Sequence, residues 1–328
     1  MTTPSGKIYR EILYEEADDF FDSLNQAINH AAQEILLETF IFDLDPVGEE
    51  VLTNLIKASN RGVKILLYLD GHGVQSWGHD VFKRLAYSGI HWKIHHPMPW
   101  QLDCRTQEEF LEQTTVSLKK LNLFKNDISL LFKRNHQKKC LIDNKIGFFG
   151  SINISKDHSQ KMKGPDAWKD IGIKVRDERI NKIREYFFKH YLEHDIEHDL
   201  EHDNEKTLSH PGHLCSHLRP AWNLEQKKYY RNDLFRRILQ AKKRVWIATP
   251  YFIPDEEFIQ HLSQCQALGV DIKVLIPLKT DYAFFTSFHR HYAQKLQKRN
   301  IDVFFSKKDS STQKCFLSTL GASWDQQT

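Results

Sequence analysis

Two stretches of the chain share one pattern of apolar and polar positions. AQEILLETFIF (Ala32 to Phe42) and AKKRVWIATPYF (Ala241 to Phe252) each run from a helix end into a short apolar strand. Each is followed by an amphipathic helical stretch. Each then returns through a Gly-Val pair into a second apolar strand, Gly62-Val63 into ILLYL and Gly269-Val270 into IKVLIPL. Strand, helix, strand at this spacing predicts a βαβ unit with a mostly parallel sheet. The chain reads as an α/β protein with a weak internal repeat, two similar halves in tandem.

The segment RNHQKKCLIDNKIGFFGSINIS, Arg134 to Ser155, has a different pattern. Cys140-Leu141-Ile142 is an apolar strand, Asp143-Asn144-Lys145 a tight turn, and Ile146 to Phe149 a returning strand that ends at Gly150. His136 and Lys138 are two residues apart, so in extended backbone they project from one face. Ser151 to Asn153 opens the next segment, where backbone N–H groups and small polar side chains can hold phosphate oxygens. An imidazole nucleophile beside a fixed cation and an amide donor suits attack on a phosphodiester. The competing reading is a buried hairpin that happens to carry a surface histidine.

Composition narrows the picture. With 328 residues, 40% hydrophobic and 12% aromatic, the chain can build one large or two ordinary packed domains. A net charge of +3, from 46 basic and 43 acidic residues, leaves no global nucleic-acid footprint, so anion recognition has to be local. The five cysteines are scattered without metal or redox spacing. Their odd number, and the lack of a signal-peptide pattern, favour a reducing compartment. No apolar run approaches the length needed to span a bilayer, so a lipid substrate would be reached from the membrane surface.

Two further segments each leave two readings open. EHDIEHDLEHDNEKTLSHPGHLCSH, Glu193 to His217, repeats Glu-His-Asp, and its histidines four apart would share a helical face. It reads as a zinc or nickel site, or as a solvated helix end and linker closed by Pro211-Gly212. Trp100 to Phe132 carries Phe110, Leu111, Leu118 and Leu121 among Lys119, Lys120 and Lys125. It is either a basic amphipathic surface for anionic lipid or a helix packed on the core.

The run with His136, Lys138, Asp143, Gly150, Ser151 and Asn153 resembles the HKD motif of the phospholipase D superfamily, most closely that of bacterial cardiolipin synthases. ILLETFIF, RGVKILLYLDG, GPDAWKDIGIKV and ATPYFIPD extend the likeness over nearly the whole chain. The resemblance implies two similar α/β halves, each with a mostly parallel sheet flanked by helices, and an active site at their seam. Residues 1–192 would form the first half, 193–217 a His/acid-rich linker, and 218–328 an incomplete second half. One histidine would attack phosphorus to form a phosphohistidine, while the other protonates the departing alcohol. By that carry-over His136 is catalytic, Lys138 and Asn153 bind phosphate with help from Ser151, and Asp143 supports the motif's geometry. Asp170 would orient a histidine across the seam, or is a solvated strand-end carboxylate. No cofactor or metal is implied. The implied partners are a phosphatidylglycerol-type phospholipid and the cytoplasmic face of a bacterial membrane, bound peripherally; nucleic acid is disfavoured by the charge balance. Alternatives within the resemblance are a hydrolase or nuclease, and a catalytically inactive scaffold.

The last of these has support at the C-terminal end. A second motif should follow Ile301 to Phe305, yet STQKCFLSTLGASWDQQT has Thr312 at the histidine position, Lys314 retained and Thr319 at the aspartate position. Read from the third base of each codon, Thr312 and Thr319 permit only tyrosine, histidine, asparagine or aspartate. Gln313 with Lys314 permits only lysine or glutamate, and Trp324 with Asp325 forces glycine. With suitable wobble bases this frame reads HSKMFFIDTWGIVGSAN, a whole second motif. A reading-frame change near Lys307-Lys308 is the expectation, and a chain carrying it should be impaired.

Overall fold

A computed structural model of the chain describes residues 10–111, 134–176, 180–193, 224–250, 252–278, 283–306 and 315–319. It has two compact units, one comprising Met1–Ala167 and Ile171–Arg219, the other Trp168–Asp170 and Pro220–Thr328.

The first unit contains β1 (Arg10–Tyr14), α1 (Ala17–Asn29), β2 (Glu34–Thr39), α2 (Pro46–Asn60), β3 (Lys64–Asp70), α3 (His79–Ser88), β4 (His91–His95), α4 (Gln107–Leu111), β5 (Lys139–Ile142), β6 (Ile146–Gly150), α5 (Gln160–Lys163), β7 (Gly172–Arg176) and α6 (Ile180–Glu193). Its seven strands lie in the order β1-β7-β6-β5-β2-β3-β4. β2, β3 and β4 are mutually parallel, β6 and β1 share their direction, and β5 and β7 oppose it. Five of the seven strands therefore run in one direction, with parallel pairing in β2–β3–β4 and antiparallel pairing where β5 and β7 are interleaved.

Local chemistry explains the βαβ unit. The Asp45 carboxylate accepts the N–H groups of Val47 and Gly48 at 3.0 and 3.1 Å, and Pro46 opens α2 with its φ already helical. The helix ends where Gly62 takes φ +92° and turns the chain into β3; Gly269 does the same at +84° in the second unit. Ile35 and Leu37 of β2, Ile65 and Leu67 of β3, and Val51 and Leu55 of α2 are fully or almost fully buried in one core. Each such side chain contributes about 1.5–3 kcal/mol on leaving water.

The second unit contains α7 (Leu224–Leu239), β8 (Arg244–Ala248), α8 (Glu256–Ala267), β9 (Asp271–Pro277), α9 (Ala283–Gln297), β10 (Asp302–Ser306) and β11 (Cys315–Thr319). Its strand order is β10-β9-β8-β11, with β8, β9 and β10 parallel and β11 antiparallel to β8. This repeats the β4-β3-β2-β5 portion of the first sheet, strand for strand. The register repeats too: Leu37 faces Cys140 in the first sheet, and Ile247 faces Phe316 in the second. Leu37 and Ile247 fall at the same offset from the first residues of their strands, Glu34 and Arg244, so the backbone aligns Phe316 with Cys140. Its own core is formed by Val245, Ile247, Ile259, Leu262, Val274 and Ile276.

Candidate active site

The end of β2 is the spine of the site. Past Thr39 the chain continues through Phe40, Ile41 and Phe42, and each of these backs one part of the motif. The Phe40 ring is stacked with the His136 ring, centroids 4.0 Å apart and planes 19° from parallel. Lys138 Nζ lies over the same ring, 5.3 Å from its centroid, and donates to the His136 carbonyl at 2.9 Å. Two residues on, Phe42 bridges Ile154, with Ile154 N–H donating to the Ile41 carbonyl and Asp43 N–H to the Ile154 carbonyl. One strand end thus carries both the His-Lys pair and the segment containing Ser151 and Asn153.

His136 and Lys138 lie in irregular backbone just ahead of β5, not on the strand itself. His136 is exposed. The segment is fixed from below by a buried polar network. Asn135 donates its N–H to Asp70 Oδ2 at 2.9 Å and its side-chain amide to Glu38 Oε1 at 2.6 Å. Glu38, which is fully buried, pairs with Lys139 Nζ at 2.5 Å, and Lys139 also donates to Gln137 Oε1. Burial pulls the Lys139 ammonium below its usual range, against the pull of Glu38, and burial raises Asp70 despite the N–H donors of Asn135 and His72. Arg134 reaches back to the His96 carbonyl and lies 3.7 Å from Asp70. Residues on either side of His136 are therefore anchored while its ring faces outward.

Asp143 sits at φ +51° in the turn between β5 and β6, beside Asn144 at +52°. Its carboxylate accepts the backbone N–H groups of Ala32, Gln33 and Glu34 at 2.9, 2.7 and 3.0 Å. It locks the hairpin to the start of β2, at the opposite end of that strand from Phe40.

The Gly-Ser-x-Asn element departs from the sequence reading in one respect. The Ser151 N–H donates to the Ile171 carbonyl at 3.1 Å and the Asn153 N–H to His158 Nε2 at 3.2 Å. Those two backbone donors serve the fold, contrary to the expectation that they would hold phosphate oxygens. Gly150 is fixed here by geometry: at φ +141° a Cβ would lie 2.3 Å from the Ile171 carbonyl oxygen. His158, buried behind Asn153, was not singled out by sequence. Burial, with the nearby Lys138 charge, depresses it to about 4, so its ring is neutral and Nε2 accepts the Asn153 N–H.

Other expectations fall elsewhere. Asp170 is buried, not a solvated strand-end carboxylate. Lys314 and the His-rich linker from residue 194 lie outside the described residues, as do 112–133 of the basic amphipathic stretch. Within its described part, Phe110 packs edge-on to Trp92 with centroids 5.7 Å apart, as a core side chain does. No helix among the described residues is long and apolar enough to cross a membrane.

Comparison with known proteins agrees with this geometry. The family described as cardiolipin synthase, PLD-like domain matches residues 24–191 and 234–319. A cardiolipin synthase of Clostridium perfringens is 28% identical over 302 residues, covering 90% of this chain and 58% of that protein. Cardiolipin synthase B of Salmonella typhimurium is 26% identical over 294 residues, covering 89% of this chain and 65% of the relative. The chain thus spans under two thirds of the length of these curated relatives. A crystal structure of phosphatidylserine synthase from Haemophilus influenzae superposes with a TM-score of 0.59 at 10% identity, covering 94% of this chain and 76% of that one, a likeness of fold. Two matched segments, each holding a βαβ sheet with one antiparallel strand laid against its first strand, make this chain a member of the cardiolipin synthase, PLD-like domain family.

Proposed function

We propose that the protein is a phosphatidyltransferase of the cardiolipin synthase type, with His136 as the nucleophile or its acid partner. The observation that carries this is the exposed His136 ring stacked on Phe40, with Lys138 on the same ring, inside a matched family domain. The neutral imidazole attacks the phosphorus of a phospholipid phosphodiester. An N–P bond forms, the P–O bond to the leaving alcohol breaks, and a second acid protonates that alcohol. An incoming alcohol then gives up its proton and attacks the phosphohistidine, releasing the imidazole. Lys138 and Asn153, with Ser151, offset charge on the non-bridging oxygens. Asp143 acts through the hairpin and does not touch the substrate.

By the family resemblance, the second acid belongs to a second motif. The matching register of β5 and β11 supports aligning Thr312 with His136, and a threonine cannot supply an acid near neutral pH. This chain is accordingly impaired, and the activity belongs to a protein whose second motif is intact. The expected site of action is a membrane surface, reached peripherally.

The discriminating experiment is a parallel assay of the frame-restored protein on phosphatidylglycerol vesicles and on single-stranded DNA. Transfer between lipids with no DNA cleavage is expected. Cleavage of DNA without lipid turnover would overturn the lipid reading in favour of a nuclease.

A further inference from the structure

A second cluster of chemistry-bearing side chains lies in the first unit, apart from the motif. His79 opens α3, while Asp103 and Cys104 close the short 3-10 helix Pro99–Cys104. His79 Nε2 is 3.0 Å from Asp103 Oδ2 and 3.9 Å from Cys104 Sγ, and one ligand atom from each residue lies within 4.8 Å of the other two. Among the described residues this is the one group of three or more such side chains gathered so closely.

Which atoms meet decides the chemistry. In a nucleophilic triad the thiol uses one imidazole nitrogen and the carboxylate the other, so that a proton can pass along the line. Here sulfur and carboxylate both converge on Nε2. One imidazole nitrogen, one sulfur and one carboxylate oxygen within 4.8 Å of one another are the donor set of a borderline-soft divalent cation.

The framework is held from behind. Trp92 Nε1 donates to the Cys104 carbonyl at 2.9 Å, and Gln101 ties the same turn to Met98 and to the Val74 carbonyl. The Cys104 side is buried while His79 is exposed, so a fourth position would open to solvent.

We propose that His79, Asp103 and Cys104 form a binding site for a zinc-class divalent transition metal, completed by water. On binding, the Cys104 S–H proton leaves to solvent and the sulfur bonds the cation as a thiolate. The metal would clamp the start of α3 to the turn after β4. It is separate from the phosphoryl chemistry, and its presence or absence does not depend on the function proposed above.

Cobalt titration of the full chain tests this. The protein should carry the linker histidines of 193–217 changed to alanine and Cys215 changed to serine, so that the linker cannot contribute. One equivalent of cobalt should give a thiolate-to-metal charge-transfer band in the near ultraviolet, with tetrahedral visible bands, and zinc should displace it. Cys104→Ser should abolish the band. His79→Ala and Asp103→Asn change exposed or half-exposed side chains, so the fold should survive, and each should weaken binding by about tenfold or more. Absence of the band in the folded protein would overturn the proposal. So would a band that persists in Cys104→Ser, or affinity unchanged in both His79→Ala and Asp103→Asn.

Discussion

The rings of Phe40 and His136 are stacked 4.0 Å apart, so the residue that follows β2 sets the orientation of the motif histidine. Phe40 belongs to the first stretch of the internal repeat and His136 to the segment that leads into the β5–β6 hairpin, almost a hundred positions later. The sheet brings them together through the β2–β5 pairing, in which Glu38 faces Lys139.

That pairing predicts a cost for breaking the buried pair. Glu38→Gln leaves Lys139 without its counter-charge in a dry environment, and should destabilise the fold by about 3–5 kcal/mol. Replacing both residues with leucine should cost much less. Urea unfolding of the single and double variants measures the difference, and equal losses would show that the charges are not coupled.

Asp143 should behave as a structural residue. Asp143→Ala removes the acceptor of three backbone N–H groups and should lower stability by about 2–4 kcal/mol. Variants at His136 and Lys138 should leave the unfolding midpoint nearly unchanged. An Asp143→Ala protein as stable as the parent would remove the hairpin lock from the account.

His158 gives a pH dependence with a definite sign. Its folded value near 4 lies below the ordinary histidine value of about 6.5, so on acidification the unfolded chain takes the proton first. Stability should be unaffected by this group above pH 7, fall as pH drops from about 6.5 to about 4, and then level off. The loss is on the order of 3 kcal/mol. His158→Gln should flatten this limb between pH 6.5 and 4.5 in urea unfolding; an unchanged slope would assign it to other groups.

Much of this was legible from the sequence. The apolar run Cys140 to Ile142, the Asp143-Asn144 turn and the Gly-Val returns at 62 and 269 are local signals, and each lies where its pattern puts it. The polar network was not legible. Glu38, Asp70 and Lys139 look like ordinary strand-end charges in one dimension, because burial depends on partners far away in sequence. His158 sits in the polar run Lys156-Asp157-His158, where nothing signals a buried ring. Nor could pattern reveal that the N–H groups of Ser151 and Asn153 are spent on Ile171 and His158. For Asp170, a charged residue beside a strand suggests solvent; the fold buries it.

The C-terminal frame is decided by nucleotides. The gene should carry wobble bases that read HSKMFFIDTWGIVGSAN in the alternative frame, with an adenine-rich stretch near Lys307-Lys308. A first base of T, A or G in the codon aligned with Thr312 would end that reading, since histidine there requires C.

The central claim is that His136 performs phosphoryl chemistry on a phospholipid. Its most direct test is phosphatidyl transfer from labelled phosphatidylglycerol by the frame-restored protein, compared with its His136→Ala variant at equal folded concentration. Loss of a nucleophile or general acid predicts a drop of about 1000-fold or more, with circular dichroism and unfolding midpoint unchanged. A folded His136→Ala protein that keeps a substantial share of the transfer rate would contradict the assignment.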